Sequence, residues 1–324
     1  MTAASAHAHR HGAVRPARPG AALSGALGVI FALMIVEAVG GWWTGSLALL
    51  ADAGHLLVDV GSLGLGVLAA WVASRPATAE MSYGYRRAEI LAAATSVVAL
   101  WAVALAIGRE AVARLGTPHP VAAPGMLGVA VLGLAGNLAA SALLVRSHGE
   151  NLNVRTALAH VLADAAAAVG TIAASLVILV ARWTPADPIV SLGIAALLVA
   201  GSWPLLREAV RILMEGTPPG ISLLEVHQAI AAVAGVCEAH DLHIWSLTSG
   251  IAAVSAHVRV DDGIDSQEVL TRLGTMLRDR FGLSHVTLQV ETSEFLDPWH
   301  PRCAPGSDPH GVPSAQGPPP PPAG

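Results

Sequence analysis

Long apolar stretches separated by short polar breaks fill the first two thirds of the chain, and then the pattern changes. Six runs each approach the ~20 apolar residues that a helical membrane crossing needs. They cover roughly 22–43, 46–73, 87–113, 123–146, 154–181 and 187–210. Only Gly-Trp-Trp-Thr-Gly (41–45) parts the first two, which suits a tight helical hairpin. Trp42 and Trp43 belong at a membrane–water boundary, where amphipathic rings are favoured.

Past residue 213 the runs shorten. EGTPPG (215–220) reads as a break. Residues 222–234 have apolar positions at helical spacing, whereas 240–248 and 251–260 read as strands turning at Ser249-Gly250. A helix is expected over 265–281, beginning at Asp265-Ser266 with Glu268 in its first turn. HVTLQVE (285–291) alternates as a strand. The expected fold class is an α-helical membrane protein with six transmembrane helices (21–212), followed by a small α+β domain of order α-β-β-α-β (213–295). Residues 1–20 form a histidine-containing segment ahead of the helices. From 296 onward Pro, Gly and Ser dominate, a composition expected to stay disordered.

Composition agrees with the pattern. The 324 residues are 53% hydrophobic and 13% charged, against about 25% charged in soluble domains, and the mean hydropathy is +0.58. A net charge of -5 argues against nucleic-acid binding. Cys237 and Cys303 make no disulfide framework. No short apolar core with a cleavage site precedes the first span, so that span is expected to remain in place.

Arginine supplies all the strong positive charge, because the chain has no lysine. With the N-terminus in the cytoplasm, ten arginines flank the inner ends of the spans: Arg10, Arg15, Arg18, Arg75, Arg86, Arg87, Arg146, Arg155, Arg207 and Arg211. Only Arg109, Arg114 and Arg182 fall on the other side. That bias places both termini in the cytoplasm.

Ionisable residues inside such spans are costly and mark function. The second run holds His55 and Asp59, and the fifth holds His160 and Asp164. Residues four apart share one helix face. Each pair therefore presents one imidazole and one carboxylate, and two facing helices would supply two nitrogens and two oxygens. Zinc accepts such a tetrahedral set at about 2.0–2.2 Å. The plainer alternative is an interhelical hydrogen bond. Asp52, a turn before His55, is either a ligand or proton carrier on the pathway or a solvated residue near the helix start. Glu37 is a candidate pathway residue, and Asn137 an interhelical hydrogen bonder or a further pathway residue.

These stretches resemble the cation diffusion facilitator family, in its zinc-type branch. The resemblance rests on SLALLADAGHLLVDVGSLGLG (46–66), YGYRRAEILAA (83–93), NLNVRTALAHVLADAAAAVG (151–170) and HDLHIWSLTSG with its following strands (240–291). It implies six spans, a ferredoxin-like cytoplasmic domain and a homodimer; in a bacterial host the expected location is the inner (plasma) membrane. It also implies export of zinc against protons, with cadmium or cobalt as companions and no enzymatic step. His55, Asp59, His160 and Asp164 would then be the transport site. Ligands must shed protons before a metal binds, so zinc and protons compete there, and histidine titrates in the right range.

The small domain carries His227, His240, His243, His257, His285 and Glu291. In relatives, positions matching His240, His257 and Glu291 contribute to a regulatory zinc site. His285 is a further candidate, one residue away from where some relatives have a ligand. Surface histidines, with a hydrogen bond between His240 and Asp241, are the alternative. His7, His9 and His11 are candidates for weak zinc sampling, and Cys303 with His300 for an extra ligand pair. Arg86, Arg87 and Glu89 are expected either to pair with the soluble domain or to anchor the third span.

Competing functions are a membrane metal sensor that binds zinc without moving it, a bundle holding haem between His55 and His160, and an open channel. Haem would leave Asp59 and Asp164 unexplained.

Overall fold

The computed structural model describes residues 19–117, 119–147, 152–261 and 263–292. His7, His9, His11, His300 and Cys303 lie outside them. Six long helices come first: α1 (Pro19–Thr44), α2 (Leu47–Ala73), α3 (Ala88–Gly116), α4 (Ala123–Ser147), α5 (Leu152–Ala181) and α6 (Ala186–Leu213). Five of these, α2 to α6, hold stretches long and apolar enough to cross a membrane, and α1 holds a shorter apolar run, Gly28–Thr44. Large apolar side chains point outward along them. Leu105 is 75% exposed and Val180 86%, as a lipid-facing surface requires. Trp42 and Trp43, at the end of α1, are also exposed.

Two compact units make up the chain: one comprises the residues to Gly61 with Ala99–Gly201, the other Ser62–Val98 with Ser202 onward. In the first unit, α4 packs against both α1 and α5. Small residues permit the approach of α1 to α4. A Cβ on Gly136 would stand 2.7 Å from the Leu33 methyls, and one on Gly40 2.7 Å from a Val129 methyl. Close backbone contact of this kind replaces the hydrophobic drive that lipid removes.

The second unit contains the small domain: α7 (Leu223–Ala231), β1 (Val236–Thr248), β2 (Ile251–Val260), α8 (Ser266–Phe281) and β3 (His285–Glu291). Ser222 caps α7 by accepting from Glu225 N at 3.3 Å. Asp265 caps α8, and Gly282 ends it at φ 68°, the left-handed position a glycine takes without strain. The sheet order is β1-β2-β3, with β1–β2 antiparallel and β2–β3 parallel. Of a ferredoxin-like arrangement, the described residues thus contain three strands and two helices.

Alternation decides the core. Val254, Ala256, Val258 and Val260 of β2 join Val226 and Ile230 of α7 and Val269, Leu273 and Leu277 of α8. The odd-numbered positions of β2 face away from the helices, His257 among them. Strand β1 begins four residues before its expected start, because Val236 pairs with Val260 and Glu238 with Arg259. The Glu238 and Arg259 side chains also form an ion pair at 2.8 Å.

Candidate metal centres

α2 and α5 build the first centre. His55 and Asp59 stand one turn apart on α2, with Nε2 3.5 Å from Oδ2. The same Nε2 is 3.4 Å from Asp164 Oδ1 on α5. His55 and Asp164 are both buried, and Asp59 is half-buried. Four ligands at about 2.0–2.1 Å from a tetrahedral zinc stand about 3.3–3.4 Å from one another. The two observed separations lie near that edge, but the donors of His55, Asp59 and Asp164 do not all gather within 4.8 Å of one another, as those of one other group of the described residues do. His160 occupies the preceding turn of α5, and its side chain lies outside the described residues.

Glu37 and Asp52 are deeply buried in the same unit, 1% and 4% exposed. Their carboxyl groups interact with each other. Glu37 Oε1 is pressed against Gly133 of α4, where a Cβ has no room. Its Oε2 has no hydrogen-bond partner among the described residues. Asn137, one turn further along α4, is buried, and its carbonyl accepts from Ser141.

The second centre lies on the sheet face turned away from α7 and α8. His240 and His257 pair directly across β1 and β2, with ring centroids 5.3 Å apart. Glu291, at the end of β3, is buried. Its Oε1 is 2.8 Å from His257 Nδ1 and its Oε2 3.6 Å from His240 Nε2. One ligand atom from each of the three residues falls within 4.8 Å of the others. His240 Nδ1 is buried with no hydrogen-bond partner among the described residues.

A bulge in β1 shapes this face. His240 pairs with His257 and His243 with Ser255, so β1 carries one extra residue there. Asp241 takes the strained place, at φ 50°, a conformation Asp tolerates better than most residues. Ala239, Leu242 and Ile244 consequently enter the core while His240 and His243 stay on the other face. Asp241 Oδ1 is 2.9 Å from His243 Nε2, and its Oδ2 is 3.9 Å from His257 Nε2. Asp241 thus pairs with His243 and with His257.

His285 is not brought to this cluster. Alternation puts it on the face of Glu291, but six residues of strand separate the two by about 20 Å. Its exposed ring instead packs edge-on against Tyr83, with centroids 5.5 Å apart. His227 also stands apart, with Nε2 2.9 Å from the Ala239 carbonyl oxygen. In the same unit, Arg87 Nη2 donates to Glu215 Oε1 at 3.0 Å and Thr248 Oγ1 to Glu89 Oε2 at 3.3 Å.

Residues 25–214 match the cation efflux transmembrane domain, and residues 218–293 match the cytoplasmic domain of cation efflux proteins. The chain belongs to the cation efflux family. It is a multi-pass membrane protein of the zinc-type cation diffusion facilitators, with a small cytoplasmic α/β domain. It is 40% identical over 270 residues to a cadmium, cobalt and zinc/H(+)-K(+) antiporter of Bacillus subtilis, covering 82% of this chain and 86% of that protein. It is 39% identical over 292 residues to the metal cation efflux system protein CzcD of Cupriavidus metallidurans, covering 90% of each. It is 38% identical over 268 residues to the zinc transporter ZitB of Escherichia coli, covering 82% and 85%. Among solved structures, the metal-bound C-terminal domain of the CzcD transporter is 47% identical, covering 22% of this chain and 99% of that one, with a TM-score of 0.21.

One residue that the sequence reading of this cation efflux protein passed over is Asp187, which is fully buried at the start of α6. An acid in the first turn of a helix is commonplace. The only signal was its position at the head of an apolar run.

Proposed function

We propose that this protein exports zinc from the cytoplasm in exchange for protons, through a tetrahedral site made by His55, Asp59, His160 and Asp164. The observation that carries the reading is a single imidazole nitrogen standing 3.5 and 3.4 Å from carboxylate oxygens of two different helices. A zinc ion held there would draw Asp59 and Asp164 closer together around His55. His160, one turn before Asp164, would supply the fourth donor. Two carboxylates balance the charge of Zn²⁺ where lipid cannot. Cadmium and cobalt share enough of this chemistry to be further substrates, in keeping with the names of the relatives.

Exchange follows from competition at the ligands. Open to the cytoplasm, the deprotonated site takes zinc. Open to the far side, protons occupy the histidines and carboxylates and displace it. Movement of the helix bundle around a midplane site would connect the two states. Glu37, Asp52 and Asn137 line the route. Six spans, counting α1, put both termini in the cytoplasm of a cell whose inner membrane holds the protein. The cytoplasmic domain pairs two copies into a homodimer. His240, His257 and Glu291 would hold a regulatory zinc.

The test is flux in proteoliposomes. An acid-inside pH gradient is expected to drive zinc in and to lose protons as it does so. An ionophore that collapses the gradient is expected to stop uptake. Zinc binding with no flux in either condition would replace the transporter with a membrane metal sensor. Uptake indifferent to the gradient would make it a channel.

A further inference from the structure

Asp187 belongs to neither metal centre, yet its carboxylate reaches across from α6 to the beginning of α2. Oδ2 accepts from Leu47 N at 2.8 Å, and Oδ1 accepts from Ser46 Oγ at 2.7 Å and Ala48 N at 3.2 Å. Asp187 and Ser46 are both 0% exposed. Ser46 Oγ in turn accepts from Leu49 N at 3.3 Å, and Ser46 N donates to Thr44 Oγ1 at 3.4 Å. A helix start leaves four N–H groups without intrahelical acceptors. Here Ser46, Leu47, Ala48 and Leu49 all find one, and two of the four are met by a side chain of another helix.

The turn ahead of this cap is held as well. Arg114 Nη1 donates to the Gly45 carbonyl at 2.7 Å, and Ala122 N donates to the Thr44 carbonyl at 2.8 Å. Gly45 sits at φ 72°, which a side chain would resist. From the cap, α2 runs unbroken to His55 and Asp59, about 12 and 18 Å further at 1.5 Å per residue. Hydrogen bonds to two successive N–H groups and to the cap hydroxyl determine both the height and the rotation of the helix. A slip of one residue would move α2 by ~1.5 Å and turn it by ~100°. His55 Nε2 would then leave Asp164. Sites of this kind tolerate only about 0.5 Å of displacement.

We infer that Asp187 is a positioning residue for the membrane metal site: by capping α2 from α6, it sets the depth and rotation at which His55 and Asp59 meet Asp164. The inference rests on the transport reading above. All three of its partners donate, so a carboxylate serves where an amide, with one accepting oxygen, serves only in part.

The experiment titrates the full-length protein in detergent with Co²⁺, whose visible band reports tetrahedral geometry. A background carrying His240→Ala and His257→Ala silences the cytoplasmic domain. Asp187→Ala is expected to lower Co²⁺ affinity about tenfold and to weaken the band, with a similar rise in KM for zinc flux. Asp187→Asn is expected to fall between it and the parent, and Ser46→Ala to shift both in the same direction by less. A folded Asp187→Ala or Asp187→Asn protein with the parent's spectrum and affinity would overturn the inference. Should Asp187→Ala fail to fold, the Asp187→Asn spectrum decides. A parent band that does not depend on Asp59 would overturn the transport site, and this inference with it.

Discussion

Two clusters in this molecule combine histidine with carboxylate, and they are built differently. In the first, His55 and Asp59 stand side by side because a helix returns every fourth residue to one face. The apolar bundle buries His55 and half-buries Asp59. In the second, His240, His257 and Glu291 come from three strands and meet only because the sheet has a particular order and register. That cluster lies on the sheet face opposite the helices, with His240 and His257 half-buried. The difference suggests a division of labour. A site between helices can be opened from either end by moving helices. A site laid across three hydrogen-bonded strands can fill and empty without moving the sheet, as the proposed regulatory site would need to.

Removing both membrane carboxylates, Asp59→Ala with Asp164→Ala, tests that division most severely. Zinc affinity at the membrane site is expected to fall by more than 100-fold, more than about 2.7 kcal/mol. Calorimetry on the detergent-solubilised protein should still find the domain's zinc. Glu291→Gln is the converse change. It keeps the shape but loses the charge, and domain affinity is expected to fall roughly tenfold, with the membrane site unmoved. If both sites weaken together, they are not independent.

Acidification comes next. Protons compete with the metal for its ligands, so zinc affinity at both centres is expected to decline as the medium is acidified. A centre whose zinc affinity is flat from pH 7.5 to 5.5 does not use its histidines. The smallest expected effect is Ser222→Ala, which removes the α7 cap. It should cost about 1 kcal/mol of domain stability, read as a lower midpoint for loss of domain signal in urea, with zinc flux unchanged.

The chain announced some of this openly. Paired spacing on apolar runs needs only a helix to become geometry, so His55, Asp59 and Asp164 were legible, as were the long helices. His257 and Glu291 entered through the family resemblance, and the pairing of β2 with β3 is what puts them on a common face. Distance along a strand was harder to read: His285 shares that face yet lies too far from Glu291 to join it. The bulge at Asp241 was hidden, because an extra residue in β1 is defined only by its pairing with β2. Asp187 was hidden for a similar reason. Its partners lie 139 to 141 positions away, and nothing in the local pattern at 186–190 distinguishes it from an ordinary helix-start acid.

The most direct measurement is zinc flux into proteoliposomes under one imposed pH gradient, comparing Asp164→Ala with His257→Ala at equal protein density. The account predicts that Asp164→Ala abolishes uptake, whereas His257→Ala retains it and changes only the cytoplasmic zinc concentration at which it begins. Uptake by Asp164→Ala at the unsubstituted rate would contradict the account, because zinc would then cross without the carboxylate that stands 3.4 Å from His55.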